Sequence, residues 1–246
     1  MAYPDFAEVV PSPNFNSRKG APVDILLLHY TGMRDDAAAV RWLANPQSKV
    51  SCHYVIHEDG RIVQMVDEGE RAWHAGRGTW KGLDDINARS VGIEICNPGH
   101  EHGYRAFPDK QIEQVVALSK AIVERHRIAK EHVLAHSDIA PDRKQDPGEL
   151  FPWDRLAAAG IGHHVPAAPI ADGRFMAIGD SGEPVAALQG MLKLYGYEVA
   201  TSGHYDAQTQ AVVRAFQRHF RPARVDGVAD SSTVSTLHQL LSALIA

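Results

Sequence analysis

No stretch of this 246-residue chain holds the roughly 18–20 consecutive apolar residues that a membrane-crossing helix needs. A secretion leader is missing too. Met1-Ala2-Tyr3-Pro4-Asp5-Phe6-Ala7-Glu8 has neither a basic n-region nor an apolar h-region, which points to the cytoplasm unless a signal has been trimmed away. Cysteine is scarce. Cys52 and Cys96 are the only two, and both fall inside apparent strands, so buried free thiols are expected rather than a disulfide framework. Positive charge is not in excess: the net charge of -5 gives no general attraction to nucleic acid or to anionic membranes. What remains, 44% hydrophobic and 22% charged residues, is the make-up of a globular protein. Histidine, in contrast, is abundant at 14, which directs attention to metal or proton chemistry.

The length accommodates one large domain or two smaller ones. Residues 1–22, rich in Pro, Asn and Ser, read as irregular chain on the surface. The apolar run Ile25-Leu26-Leu27-Leu28 then predicts a buried central strand with His29 at its C-terminal end. A short helix follows from Asp36 to Leu43, capped by Asp35 or Asp36. Ser51 to His57 and Arg61 to Val66 read as a hairpin around Glu58-Asp59-Gly60. A long loop is expected over 67–89, with a further strand at Val91 to Cys96. A helix runs from Asp109 to about Arg127, its Ile112, Val115, Val116, Ser119, Ile122 and Val123 on one face. Val133-Leu134-Ala135 forms the last strand, ending at His136, and Trp153 to Ala159 a last short helix. Strands and helices mix without a strict βαβ repeat, so the expected fold class is α/β, a mixed central sheet flanked by helices. Residues 1–160 form the first expected domain, and 161–175 have linker composition. Residues 176–246 read as a small, separate bundle of three amphipathic helices.

The chemistry gathers around His136-Ser137-Asp138-Ile139-Ala140-Pro141 and Asp142-Arg143-Lys144-Gln145-Asp146-Pro147-Gly148, which hold an imidazole, an amine and a carboxylate with few apolar side chains. A surface loop has the same composition, and no local metal motif is present, so spacing leaves satisfied structural histidines as an alternative. Taken with His29, however, His136 and Asp146 make two imidazoles and one carboxylate, a recurring catalytic zinc set with a fourth position left for water. Glu94 stands inside Val91-Gly92-Ile93-Glu94-Ile95, where a carboxylate is either on a solvated strand face or held in a site. Beside an activated water it suits the role of general base and then general acid. Lys144 is either an exposed loop lysine or a group that stabilises a developing oxyanion.

Five ordered motifs carry a resemblance over about residues 20–160. They are His29-Tyr30-Thr31; Ser51-Cys52-His53-Tyr54-Val55-Ile56; Arg71-Ala72-Trp73-His74-Ala75-Gly76; Asn87-Ala88-Arg89-Ser90-Val91-Gly92-Ile93-Glu94; and His136 through Gly148. This part of the chain resembles the zinc-dependent N-acetylmuramoyl-L-alanine amidases of the AmpD/AmiD type. The resemblance implies a Zn2+ held by His29, His136 and Asp146, a catalytic Glu94, and a supporting catalytic Lys144. It implies a zinc groove with Trp73 and His74 on its wall as substrate-binding residues. The reaction implied is hydrolysis of the amide between the lactyl group of N-acetylmuramic acid and L-alanine, with peptidoglycan or its muropeptide fragments as partner. A non-catalytic recognition protein is the alternative, marked by loss of a zinc ligand. His53 reads as packing or support for the site, and Asn87 as a turn or a substrate contact. His57, His100, His102, His163 and His164 are expected at the surface.

The C-terminal segments Gly179-Asp180-Ser181-Gly182, Gly203-His204-Tyr205-Asp206 and Val225-Asp226-Gly227 resemble the turns of the three-helix peptidoglycan-binding domain. That resemblance implies a tether on the polymer, and with it the cell envelope. No feature argues against a monomer.

Overall fold

The computed structural model describes residues 7–245, so the first six residues of the expected irregular segment lie outside the described residues. The chain opens with two short strands, β1 (Ala7–Val9) and β2 (Phe15–Ser17). Then come β3 (Ile25–Tyr30), helix α1 (Asp36–Leu43), β4 (Tyr54–Ile56), β5 (Ile62–Gln64) and β6 (Glu70–Ala72). The one-turn helix α2 (Ile86–Arg89) leads into β7 (Ser90–Ile95), the long helix α3 (Asp109–His126) and β8 (Val133–Ala135). The one-turn helix α4 (His136–Ile139) and α5 (Trp153–Ala158) follow. The C-terminal part holds β9 (Phe175–Met176), α6 (Glu183–Tyr195), α7 (Ala207–Phe220), β10 (Ala229–Asp230) and α8 (Ser231–Ile245).

Six strands form one mixed sheet in the order β1-β5-β4-β7-β3-β8, with only β4 and β5 antiparallel. This is the predicted α/β architecture. The central β3 is apolar on both faces because both are covered. Leu26 and Leu28 pack with Ile93 and Ile95 under Ile112, Val115, Leu118 and Ile122 of α3. Ile25 and Leu27 face the other way. Helix α3 begins at Asp109 as expected and ends where Arg127 turns left-handed. Each fully buried aliphatic side chain on its inner face contributes roughly 1.5–3 kcal/mol. Asp35 caps α1, accepting from the Ala38 N–H at 3.0 Å. Both cysteines are buried and free. No helix among the described residues is long and apolar enough to cross a membrane.

Three expectations change. Residues 7–22 are not merely irregular: β1 adds an edge strand to the sheet, and β2 pairs with β6. Arg18, just beyond β2, is buried, donating to the carbonyls of Glu68, Ala88 and Ser90. The loop over 67–89 carries β6 and α2 and delivers Trp80 to the core at 0% exposure. Finally, the three C-terminal helices share a continuous hydrophobic cluster with the sheet. Ile25, Leu27, Trp80 and Leu134 pack with Leu192, Tyr195, Tyr197 and Phe220. The linker-like segment is also pinned, since Ala168 accepts from Ser232 Oγ at 2.6 Å and donates to Thr236 Oγ1 at 3.0 Å.

Candidate metal centre

Side chains alternate along β3, so His29 projects from the same face as Ile25 and Leu27. It directly follows Leu28, the last β3 residue paired on both sides. Its register partner on β7 is Glu94, and Leu28 pairs with Ala135 on β8, which places His136 beside His29. Thus three parallel strands end together and deliver three polar side chains to one edge, the usual location of sites in such sheets. Asp146 is brought back to His136 by a backbone clasp, Ser137 N–H to Asp146 O at 3.1 Å. The Asp146–Pro147 bond beyond it is cis.

His29 Nδ1, His136 Nδ1 and Asp146 Oδ2 stand at the corners of a triangle with edges of 2.9, 3.0 and 2.9 Å. All three side chains are buried. The surrounding hydrogen bonds fix which atoms carry protons. Ser90 Oγ donates to the Ile86 carbonyl at 2.7 Å, so it can only accept from His74 Nε2, 3.3 Å away. His74 Nδ1 is then the acceptor for His29 Nε2 at 3.0 Å, which leaves a lone pair on His29 Nδ1. His136 Nε2 donates to the Ala75 carbonyl at 2.9 Å, so in the neutral ring the lone pair lies on Nδ1 as well. With both rings neutral, the form in which imidazole binds a metal, three electron-rich atoms converge on one point, an arrangement that a cation relieves. A tetrahedral zinc ion with bonds of ~2.0–2.2 Å spaces its ligands only a few tenths of an ångström wider than this triangle. The residues fit the ion.

Electrostatics agree. Burial, reinforced by His136, lowers the His29 pKa to about 4, so the ring is neutral near pH 7. Burial, with His29 and His53 beside it, holds His74 well below its ordinary value. Burial and then Arg18 bring His53 to about 3. Burial works against ionisation of Asp146, but His136 and His29 outweigh it and hold the carboxyl far below the usual range. Glu94 behaves oppositely. Part of its side chain reaches the cleft, while Oε2 is fully covered and has no hydrogen-bond partner. Burial beside Asp146 pushes its pKa well up, with Lys144 pulling the other way.

The cleft, of about 350 Å³, is lined by His29, Glu94, His136, Lys144 and Asp146, with Tyr30 and Trp42 on its outer wall. Trp73 and His74, expected together as that wall, point in different directions. Trp73 does not line the cleft; its indole N–H donates to Asn16 Oδ1 at 2.7 Å. His74 touches the cleft but lies behind His29 with both ring nitrogens engaged. Its ring lies against Gly92, where a Cβ would come within 2.5 Å of it. Asn87 clamps the loop, its Oδ1 accepting from the N–H groups of His74 and Ala75 at 2.9 and 2.8 Å.

Several histidine expectations are corrected. His57 is buried, 3.4 Å from Asp36 in a second convergence with Cys96. His100 lines the cleft between Tyr30 and Glu149. His163 and His164 are half-buried, the former bonded to the Tyr195 hydroxyl at 3.0 Å. Arg143, overlooked in the sequence, donates to the Ala75 carbonyl at 2.7 Å and lines the cleft. Gly92 left a legible trace, since glycine inside an apolar strand marks a close approach by another group.

A mixed sheet with two imidazoles and a carboxylate meeting at its parallel strand ends defines an α/β protein with a candidate metal-dependent hydrolytic centre. The chain belongs to the N-acetylmuramoyl-L-alanine amidase family, whose model matches residues 19–149. A second family model, a peptidoglycan binding domain, matches residues 181–237. The chain is 37% identical over 234 residues to the N-acetylmuramoyl-L-alanine amidase AmiD of Escherichia coli, covering 89% of this chain and 82% of that one. The structure of Escherichia coli AmiD in complex with anhydro-N-acetylmuramic acid-L-Ala-D-gamma-Glu-L-Lys superimposes with a TM-score of 0.76 at 34% identity. That match covers 94% of this chain and 98% of the other. AmpDh3 of Pseudomonas aeruginosa gives 0.76 at 30% identity over the whole of both chains.

Proposed function

We propose that this protein is a zinc-dependent N-acetylmuramoyl-L-alanine amidase that cleaves the amide between the lactyl group of N-acetylmuramic acid and L-alanine. The observation that carries this reading is the convergence of three lone pairs at His29, His136 and Asp146, in a chain of the amidase family. Those three residues would hold the ion. When bound there, zinc supplies Lewis acidity, which acidifies a water and polarises a carbonyl.

The remaining work falls to the chain's own groups. Glu94, on the strand next to His29, takes the proton from the attacking water and returns it to the departing L-alanine nitrogen. Burial strengthens its affinity for a proton, which suits a group that must first take one and then hand it on. Lys144 faces the same cleft and offsets negative charge that develops on the carbonyl oxygen. His74 orients His29, and the Ala75 carbonyl orients His136. We assign residues 1–160 to the amidase unit and 176–246 to a polymer-holding unit joined through 161–175. Holding the wall raises the local concentration of scissile bonds. The working form is a monomer whose partner is peptidoglycan or a muropeptide.

Product mass spectrometry on a disaccharide-peptide tests the reading, with native, chelated and zinc-restored protein. Free disaccharide plus a peptide beginning at L-alanine is expected, lost on chelation and restored by zinc. Intact substrate in every sample, with binding retained, would make this a recognition protein instead.

A further inference from the structure

Two of the three metal-site residues and Lys144 ride on a single stretch, from His136 in α4 to Asp146. The amidase part clasps one side of that stretch, Thr79 N–H donating to the Ile139 carbonyl at 3.0 Å and Arg143 to the Ala75 carbonyl at 2.7 Å. The C-terminal unit reaches it from another side. Asp138, two residues after His136, is 1% exposed, and its carboxylate accepts three hydrogen bonds. One is local, from the Ala135 N–H at 2.8 Å. The other two come from the C-terminal unit: Tyr197 Oη–H to Oδ1 at 2.7 Å, and His219 Nδ1–H to Oδ2 at 2.7 Å. The His219 ring is itself fixed between Trp153 and Phe220, with centroids 3.7 and 3.8 Å away. One residue earlier on α7, Arg218 donates to Gln145 Oε1 at 3.1 Å and lies 3.9 Å from Glu149. Glu149 in turn holds His100 on the cleft wall. Helix α7 thus grips the stretch at both ends, next to His136 and next to Asp146.

We propose that the C-terminal unit is a structural half of the metal centre as well as a tether, with Tyr197, Arg218 and His219 as positioning residues. They act through Asp138 and Gln145 to keep His136 and Asp146 in register with His29. The proposal rests on the reading of that triad as a zinc site. Burial gives the contact its leverage: removing one donor leaves a buried carboxylate under-satisfied, which favours a shift of the loop that carries it. Outer partners that orient metal ligands typically govern affinity by about 10–100-fold.

The test is zinc affinity of the full chain, measured by competition with a chromophoric chelator, with a thermal melt confirming that each variant is folded at the assay temperature. Tyr197→Phe, Arg218→Ala and His219→Ala should each weaken zinc binding, His219→Ala by about 10-fold or more. His219→Asn, which returns an N–H donor near the Nδ1 position, should recover most of the loss. Phe175→Ala, exposed and on another part of the C-terminal unit, should leave zinc affinity unchanged. If His219→Ala does not fold, the two milder variants carry the test. Folded variants that bind zinc as tightly as the parent overturn the proposal. Failure of the underlying zinc reading has a different signature: the parent chain and His29→Ala would then compete equally poorly for the metal.

Discussion

At the scale of single residues, the proposed function assigns metal binding and proton transfer to different side chains. Glu94 makes no hydrogen bond to His29, His136 or Asp146, and its Oε2 has no partner at all. Replacing it with the isosteric amide should therefore leave the triad standing. Glu94→Gln is expected to bind zinc like the parent while turnover falls about 10²–10⁴-fold, the size of a lost general base. His136→Ala should lose metal and activity together, because it removes one of the three proposed ligand atoms. Metal content by mass spectrometry, read beside kcat, separates the two patterns; an active Glu94→Gln would remove it as the base. The buried imidazoles also set a pH dependence in the metal-free protein. His29 and His53 have folded pKa values of about 4 and about 3, below the ordinary value of 6.5. Between those limits the unfolded chain binds more protons, so stability is complete above about pH 6.5 and is lost as pH falls. His29 alone accounts for on the order of 3 kcal/mol across that window. The melting temperature should decline steadily from pH 7 to pH 4, and a flat profile would contradict the neutral-ring assignment.

Secondary-structure elements explain why the His29–His136–Asp146 convergence was easier to read than the residues packed around it. A run such as Ile25-Leu26-Leu27-Leu28 followed by His29 announces a buried strand with a polar end, and the registers of β3, β7 and β8 do the rest. The α3 boundaries were legible for a similar reason: a repeat of apolar residues over 18 positions is hard to mistake. Three-residue strands such as β1, β2 and β6 carry too little alternation to be seen, and they exist because a neighbour offers an edge. His57 and His100 were misplaced, and the support His74 gives to His29 was missed, because a histidine's surroundings come from other elements. His74 settles on β7 only because Gly92 leaves room there. Gly92→Ala is thus expected to lift the His74 ring from the strand and loosen His29, since overpacking costs about 1–3 kcal/mol. Zinc affinity should drop although no ligand is touched. Unchanged affinity in a folded Gly92→Ala protein would mean that His74 does not orient His29.

For the molecule as a whole, the question is whether two sequence families in one chain make two folding units. The linker composition of 161–175 and the three amphipathic helices suggest independence, and local sequence has no means of showing otherwise. The interface is made by isolated residues that look unremarkable where they stand. Trp80, from a loop of the amidase unit, packs edge-on to Tyr195 and Tyr197 at centroid distances of 5.1–6.0 Å. Gly196 lies between those tyrosines, where a Cβ would come within 2.6 Å of the Trp80 ring. The Lys81 N–H donates to the Gly196 carbonyl at 2.9 Å, and the buried Asp138 is satisfied across the same junction. Opening it would expose Trp80, Tyr197, Leu27 and Leu134 together and strand a carboxylate, at a cost that small residual contacts would not offset. Folding should then be all-or-none. Calorimetry is expected to give one endotherm, with calorimetric and van't Hoff enthalpies that agree. Gly196→Ala should lower its midpoint while keeping it single, because the strain sits in the shared core. Two resolved transitions in the parent chain would show instead that the helices dock on an amidase that stands by itself.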